Sequence, residues 1–167
     1  METPGVEEYL PMRRRFLAAA LLALLCVSPA TAADPLASLS YLVGSWNCTY
    51  NAGTQHIAYT ATYAYAMGNN WMRESDTWAG GGSDVGLTTY EPKTNSWTEI
   101  VAENERSTTI FRAKGSDGAH RVYKSVYPNA LLNLTFDRVS GTKYTLHFHG
   151  AYAGKMMTSY DTCVKQT

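Results

Sequence analysis

The sequence predicts an all-β fold: an antiparallel up-and-down barrel of about ten strands, preceded by a signal peptide. Three observations predict it. From Gly44 onward the chain alternates with period two rather than 3.6. Turn signals built from Gly, Asn, Pro and Ser recur every 8–12 residues or so, with no convincing helix of ordinary length between them. Finally, the first strand carries Cys48 and the last carries Cys163, so pairing of the chain ends would bring the two thiols together.

Each element follows from local chemistry. Asp34 to Leu42, with Pro35 early, predicts one helical turn or an extended lead-in. Gly44–Tyr50 is the first strand, and Asn51-Ala52-Gly53-Thr54 turns the chain. Gln55–Met67 is the cleanest strand: Ile57, Tyr59, Tyr63, Tyr65 and Met67 share one face, and small residues share the other. Gly68-Asn69-Asn70 leads into Trp71–Ala79, and Gly80-Gly81-Gly82-Ser83 forms a flexible loop. Asp84–Glu91 ends at Pro92-Lys93-Thr94-Asn95, where Pro presets φ and Asn tolerates the left-handed region. Trp97–Glu103 and Arg106–Lys114 flank Asn104-Glu105, and Gly115-Ser116-Asp117-Gly118 reads as a hairpin turn. His120–Tyr127 stops at Pro128-Asn129. Leu131–Val139, Lys143–Gly150 and Lys155–Val164 complete the set. Full closure would remove the edges that an open sheet exposes. A sandwich is the alternative that strand spacing alone leaves open.

The first 33 residues belong to a different category. Arg13-Arg14-Arg15 is a basic region, Phe16 to Val27 is apolar but short for a bilayer span, and Ala30-Thr31-Ala32 is a small-x-small cleavage signal. The acidic stretch before it makes Met12 the expected start. Arg14-Arg15-Phe16-Leu17 partly resembles a twin-arginine signal, with the ordinary secretory route as the simpler reading. Residues 34–167 are therefore expected to form a single barrel in a secreted or periplasmic protein.

Charge narrows the partners. The chain holds 14 basic and 14 acidic residues, and the leader removes three of each. No basic face is expected, which argues against nucleic acid, and no later apolar run is long enough for a transmembrane helix. Of the three cysteines, Cys26 falls in the leader, leaving Cys48 and Cys163 as an even pair in an oxidising compartment, hence a disulfide.

Leu42-Val43-Gly44-Ser45-Trp46 at the opening of the first strand resembles the Gly-x-Trp signature of the calycin group, which includes lipocalins, fatty-acid-binding proteins and nitrobindins. The mature chain, through Asn47-Cys48, Tyr90-Glu91-Pro92-Lys93-Thr94 and the terminal cysteine, also resembles a family of secreted bacterial proteins. The resemblance implies a calycin-like barrel whose Trp46 closes one end. It implies a small, mainly apolar ligand or, on the nitrobindin side, haem held by a histidine. Fold analogy alone assigns neither.

The residues themselves offer four constellations. Tyr59, Tyr63, Tyr65, Phe111 and Tyr160 supply rings on alternating strand faces and, with Trp46, form the expected ligand-binding set. His147 and His149 lie two apart on one side of a strand, a geometry open to a metal or haem, yet opposite the apolar set Tyr144, Leu146 and Phe148. The solvent face is therefore their expected place. Glu74 with Asp76, and Glu99 with Glu103, pair carboxylates on strand faces. They are expected outside, because outward faces are commonly polar, with Arg73 and Arg112 as conceivable interior partners. No nucleophile–base motif, phosphate loop or zinc spacing accompanies them. The sequence thus predicts a small-molecule-binding barrel without catalytic residues or a resident cofactor. A haem or metal protein using His147 or His149, a solid structural or envelope-interaction barrel, and last an enzyme using Glu74 and Asp76 are the alternatives.

Overall fold

The computed structural model of the chain describes residues 34–104, 106–128, 131–152 and 155–167. The expected leader, its start at Met12 and its cleavage site lie outside these residues, as do Glu105 and Asn129 of two expected turns. A 3₁₀ segment, Pro35–Leu42, precedes ten strands. They are β1 Gly44–Ala52, β2 Gln55–Ala66, β3 Trp71–Trp78, β4 Ser83–Glu91, β5 Ser96–Glu103, β6 Thr108–Lys114, β7 His120–Tyr127, β8 Leu132–Arg138, β9 Lys143–Tyr152 and β10 Lys155–Lys165.

Every strand pairs antiparallel with its sequence neighbours, and β1 pairs with β10, so the sheet closes into a ten-stranded barrel. At that closure Cys48 lies directly opposite Cys163, with their Cα atoms 4.1 Å apart, and the two form a disulfide. The alternation in β2 has the expected consequence: Tyr59, Ala61 and Tyr63 are buried while the intervening positions face outward or lie between. Met67, placed in that strand by the sequence, instead takes φ of 50° in the following turn and is exposed.

One end of the barrel is plugged. Asp34 caps the 3₁₀ segment by accepting from the Leu36 amide at 3.0 Å, and Pro35 occupies its first turn. A 3₁₀ helix has three residues per turn, so Leu36, Leu39 and Leu42 stack on one side, and all three are buried. Trp46 is fully buried with them and donates from Nε1 to the Leu42 carbonyl at 2.6 Å. Lys165 Nζ crosses the seam to the Tyr41 carbonyl at 2.7 Å. Gly118 is required here by close approach: a Cβ would fall 1.9 Å from Ser38 Oγ. Trp46 is thus part of the plugged end.

The inward face departs from the expected polarity. On β3, β4 and β5 the inward positions include Glu74, Asp76, Asp84 and Glu99, whereas Leu87, Ile100 and Ile110 sit directly across successive strands on the outside. Those aliphatic chains half-bury one another, so the outer surface satisfies their need for cover and the parity leaves the acids inside. The expectation that these carboxylates face solvent is corrected on this ground. Arg73 and Arg112, suggested as interior partners, are both exposed.

Candidate functional site

Between the plugged end and the Gly81–Gly82 turn the barrel holds a partly open cavity of about 460 Å³. Its apolar wall comes from Met72, Phe111, Leu134, Phe136, Leu146 and Phe148. Its polar wall comes from Glu74 and Asp76 of β3, Glu99 of β5 and Ser159 and Asp161 of β10. Near the turn, Tyr59 stacks on Trp78 with ring centroids 4.3 Å apart, and Tyr50 meets Trp78 edge-on at 5.9 Å. The triple-glycine loop borders the cavity as a hydrogen-bonded turn: Gly81 N donates to the Trp78 carbonyl at 3.0 Å, and Trp78 N to the Gly82 carbonyl at 3.2 Å.

Two phenols hold the acids in place. Tyr59 donates to Asp161 Oδ2 at 2.7 Å. Tyr63 donates to Glu74 Oε1. Because that uses the single Tyr63 proton, the 2.8 Å contact between the Tyr63 and Tyr144 oxygens has Tyr144 as donor. Gly86, opposite Glu74 on β4, leaves room for this carboxyl; a Cβ there would lie 3.0 Å from Glu74 Oε2.

Enclosure sets the protonation. Burial, and then the Glu99 charge, pushes Glu74 up to about 8 against the Tyr63 hydrogen bond. Burial together with the Glu74 charge raises Asp76 to about 10. Asp161 rises by burial to about 6, opposed by the Tyr59 hydrogen bond. Glu99 is also raised by burial, with the Arg121 charge opposing. The wall is therefore a set of carboxyl groups sharing protons at neutral pH rather than a fully ionised ring.

Arg121 of β7 is the interior cation that the sequence reading missed. It is 3% exposed. Its Nη1 donates to the Gly118 carbonyl at 3.1 Å, and its guanidinium lies 4.1 Å from the Phe136 ring centroid and 5.2 Å from that of Trp97. The available signal was parity with Tyr123, hidden by exposed Val122 and Val126 at the alternate positions.

The expected ligand-binding residues separate into two groups. Tyr59, Tyr63 and Phe111 line the cavity. Trp46 lies in the plugged end, Tyr65 is half-buried against the core, and Tyr160 is 46% exposed; none of these three lines it. Tyr160 is corrected by strand parity: buried Asp161 and Cys163 fix the odd-numbered positions of β10 as inward.

All four histidines, His56, His120, His147 and His149, are exposed, and none lines the cavity. A haem in this space would find no imidazole ligand, so the residues present do not fit the nitrobindin-type reading. Among the described residues no group of histidine, cysteine or carboxylate side chains is arranged to hold a metal ion.

No protein-family model matches the chain, and no curated protein matches it in sequence. Among solved structures the barrel is similar to Rv2717c from M. tuberculosis, at 16% identity and a TM-score of 0.60, over 80% of this chain and 98% of that one. It is also similar to the S-type phycobiliprotein lyase CPES from Guillardia theta, at 10% identity and a TM-score of 0.53, over 80% and 93% of the two chains. At such identities the likeness is one of fold. Together with the closed ten-stranded meander, it fits a calycin-like barrel.

Proposed function

We propose that this protein is a secreted or periplasmic carrier or receptor that binds one small, largely apolar molecule inside its barrel. The observation that carries the reading is the cavity: its volume of about 460 Å³ lies within the usual range for small-molecule sites, about 300–1,000 Å³. Its wall has the composition such sites share, broad aromatic and aliphatic area with a few convergent polar groups. Tyr59, Tyr63 and Phe111 are the ligand contacts this reading takes from the sequence; Trp46 serves by closing the end. The fold likeness to a phycobiliprotein lyase is compatible with a barrel that handles a small molecule. The secreted location rests on the leader and on the disulfide, which favours an oxidising compartment.

Titration with the uncharged fluorophore N-phenyl-1-naphthylamine tests the reading. A saturable, one-to-one rise in emission is expected. A flat response, in protein with its disulfide intact, counts against an internal binding site.

A further inference from the structure

We propose that the cavity selects an organic cation: a protonated primary amine on an aromatic or aliphatic body, its ammonium group held by Asp76, Asp161 and Ser159. The inference rests on the ligand-binding reading above and specifies the ligand's charge.

The first observation is that the wall is one-sided. Glu74, Asp76 and Asp161 all line the cavity, and among the described residues none of them has a basic side chain within ion-pair reach. Among the described residues Arg121 is the one basic side chain lining the cavity; its Nη1 is bound to the Gly118 carbonyl and its guanidinium lies over the rings of Phe136 and Trp97. Its Nε is unpaired, and its charge acts on Glu74 and Glu99 rather than on Asp76 or Asp161. An ammonium group brought against Asp76 and Asp161 favours their ionised form, whereas a ligand carboxylate there would disfavour it.

Unspent acceptors are the second observation. Asp76 Oδ1, Asp161 Oδ1 and Ser159 Oγ are buried and have no hydrogen-bond partner among the described residues. Asp161 and Ser159 are 3% and 1% exposed and stand two apart on the inward face of β10. Buried polar atoms are normally paired, and leaving one unpaired costs about 1–3 kcal/mol. A primary ammonium offers three N–H donors and a positive charge, whereas a hydroxyl on the same body offers one donor and no charge.

The neighbouring aromatic surface points the same way. Tyr50, Tyr59 and Trp78 line the cavity along with Asp76 and Asp161. Ring faces attract cations, and more so when water is excluded. The described carboxylates do not gather into a metal site, so the charge they complement belongs to an organic group.

Three probes with one body and different heads separate the possibilities: tryptamine, tryptophol and indole-3-propionate, titrated by calorimetry into the disulfide-bonded protein at neutral pH. Tryptamine is expected to bind about tenfold or more tightly than tryptophol, with indole-3-propionate weakest. The Asp76→Asn/Asp161→Asn double variant should erase the tryptamine preference. Asp76→Asn alone should reduce it, which keeps the test usable if the double variant does not fold. Equal binding of the three probes, tighter binding of the propionate, or a preference that survives both variants overturns the inference. So does absence of tryptamine binding in protein that takes up N-phenyl-1-naphthylamine; that result leaves the internal-site reading standing. If that dye does not bind either, both fall.

Discussion

The plugged end and the acid wall of the barrel are built from different chemistry. The plugged end is filled mainly by apolar groups: Leu36, Leu39 and Leu42 occupy the space, and Trp46 and Lys165 donate to carbonyls of the 3₁₀ segment, while among the described residues the buried Tyr41 hydroxyl and Arg121 Nε find no hydrogen-bond partner. Along the acid wall, Glu74, Asp76 and Asp161 form no ion pair among the described residues, and carboxylate oxygens of Asp76 and Asp161 go unused. The contrast teaches where to look for function. A closed meander with a disulfide can tolerate a costly interior wall, because its stability is secured elsewhere. Titratable groups with raised values that line a cavity are where a binding site is expected.

Breaking the secured region should have the largest effect. The disulfide closes a sequence separation of 115 residues, and replacing Cys48 and Cys163 by alanine should cost about 4–5 kcal/mol by loop-closure entropy, read as a shift in the urea midpoint. A loss below about 1 kcal/mol would mean that the strand pairing holds the seam unaided. Trp46→Ala should follow at about 3–5 kcal/mol, since it empties a fully buried ring position and orphans the Leu42 carbonyl.

The acid wall should respond in the other direction. Glu74, Asp76 and Asp161 have folded-state values raised above the ordinary carboxylate range, so the folded state binds more protons than the unfolded chain. Their stabilising condition is fully present below about pH 4 and is lost as pH rises through about 6 for Asp161, about 8 for Glu74 and about 10 for Asp76. From these groups the melting temperature should fall between pH 5 and 9, each contributing a slope of up to about 1.4 kcal/mol per pH unit. Glu74→Gln and Asp76→Asn should flatten that slope, making the variants relatively more stable at pH 9 than at pH 5. A melting temperature that climbs with pH in the unsubstituted protein, and is untouched by either variant, would contradict the enclosed-acid description.

The smallest effect belongs to the outer face. Tyr160→Ala, on the solvent side of β10, should change stability by no more than about 0.5 kcal/mol and leave dye binding unaltered. A large loss of binding would place the ligand outside the barrel.

The sequence makes the strands and their closure legible for physical reasons. Alternation over Gln55–Ala66 is enforced by the two-residue pleat, and a cysteine in each terminal strand marks the seam. Which face points inward on β3 to β5 is less legible, because hydropathy there points both ways: Leu87, Ile100 and Ile110 cover one another outside while carboxyl groups line the interior. Arg121 escaped for the same reason, flanked by Val122 on the face that lies outward. Tyr160 could have been placed correctly by counting back from Cys163, since three residues separate opposite faces.

The central claim is that the space within the barrel, and not its outer surface, receives the ligand. Its most direct test is the same N-phenyl-1-naphthylamine titration on the unsubstituted protein and on Ser159→Phe, which fills the cavity from β10, with circular dichroism confirming that both remain folded. The account predicts saturable binding in the first and its loss in the second. Equal dye affinity in the two folded proteins would contradict it.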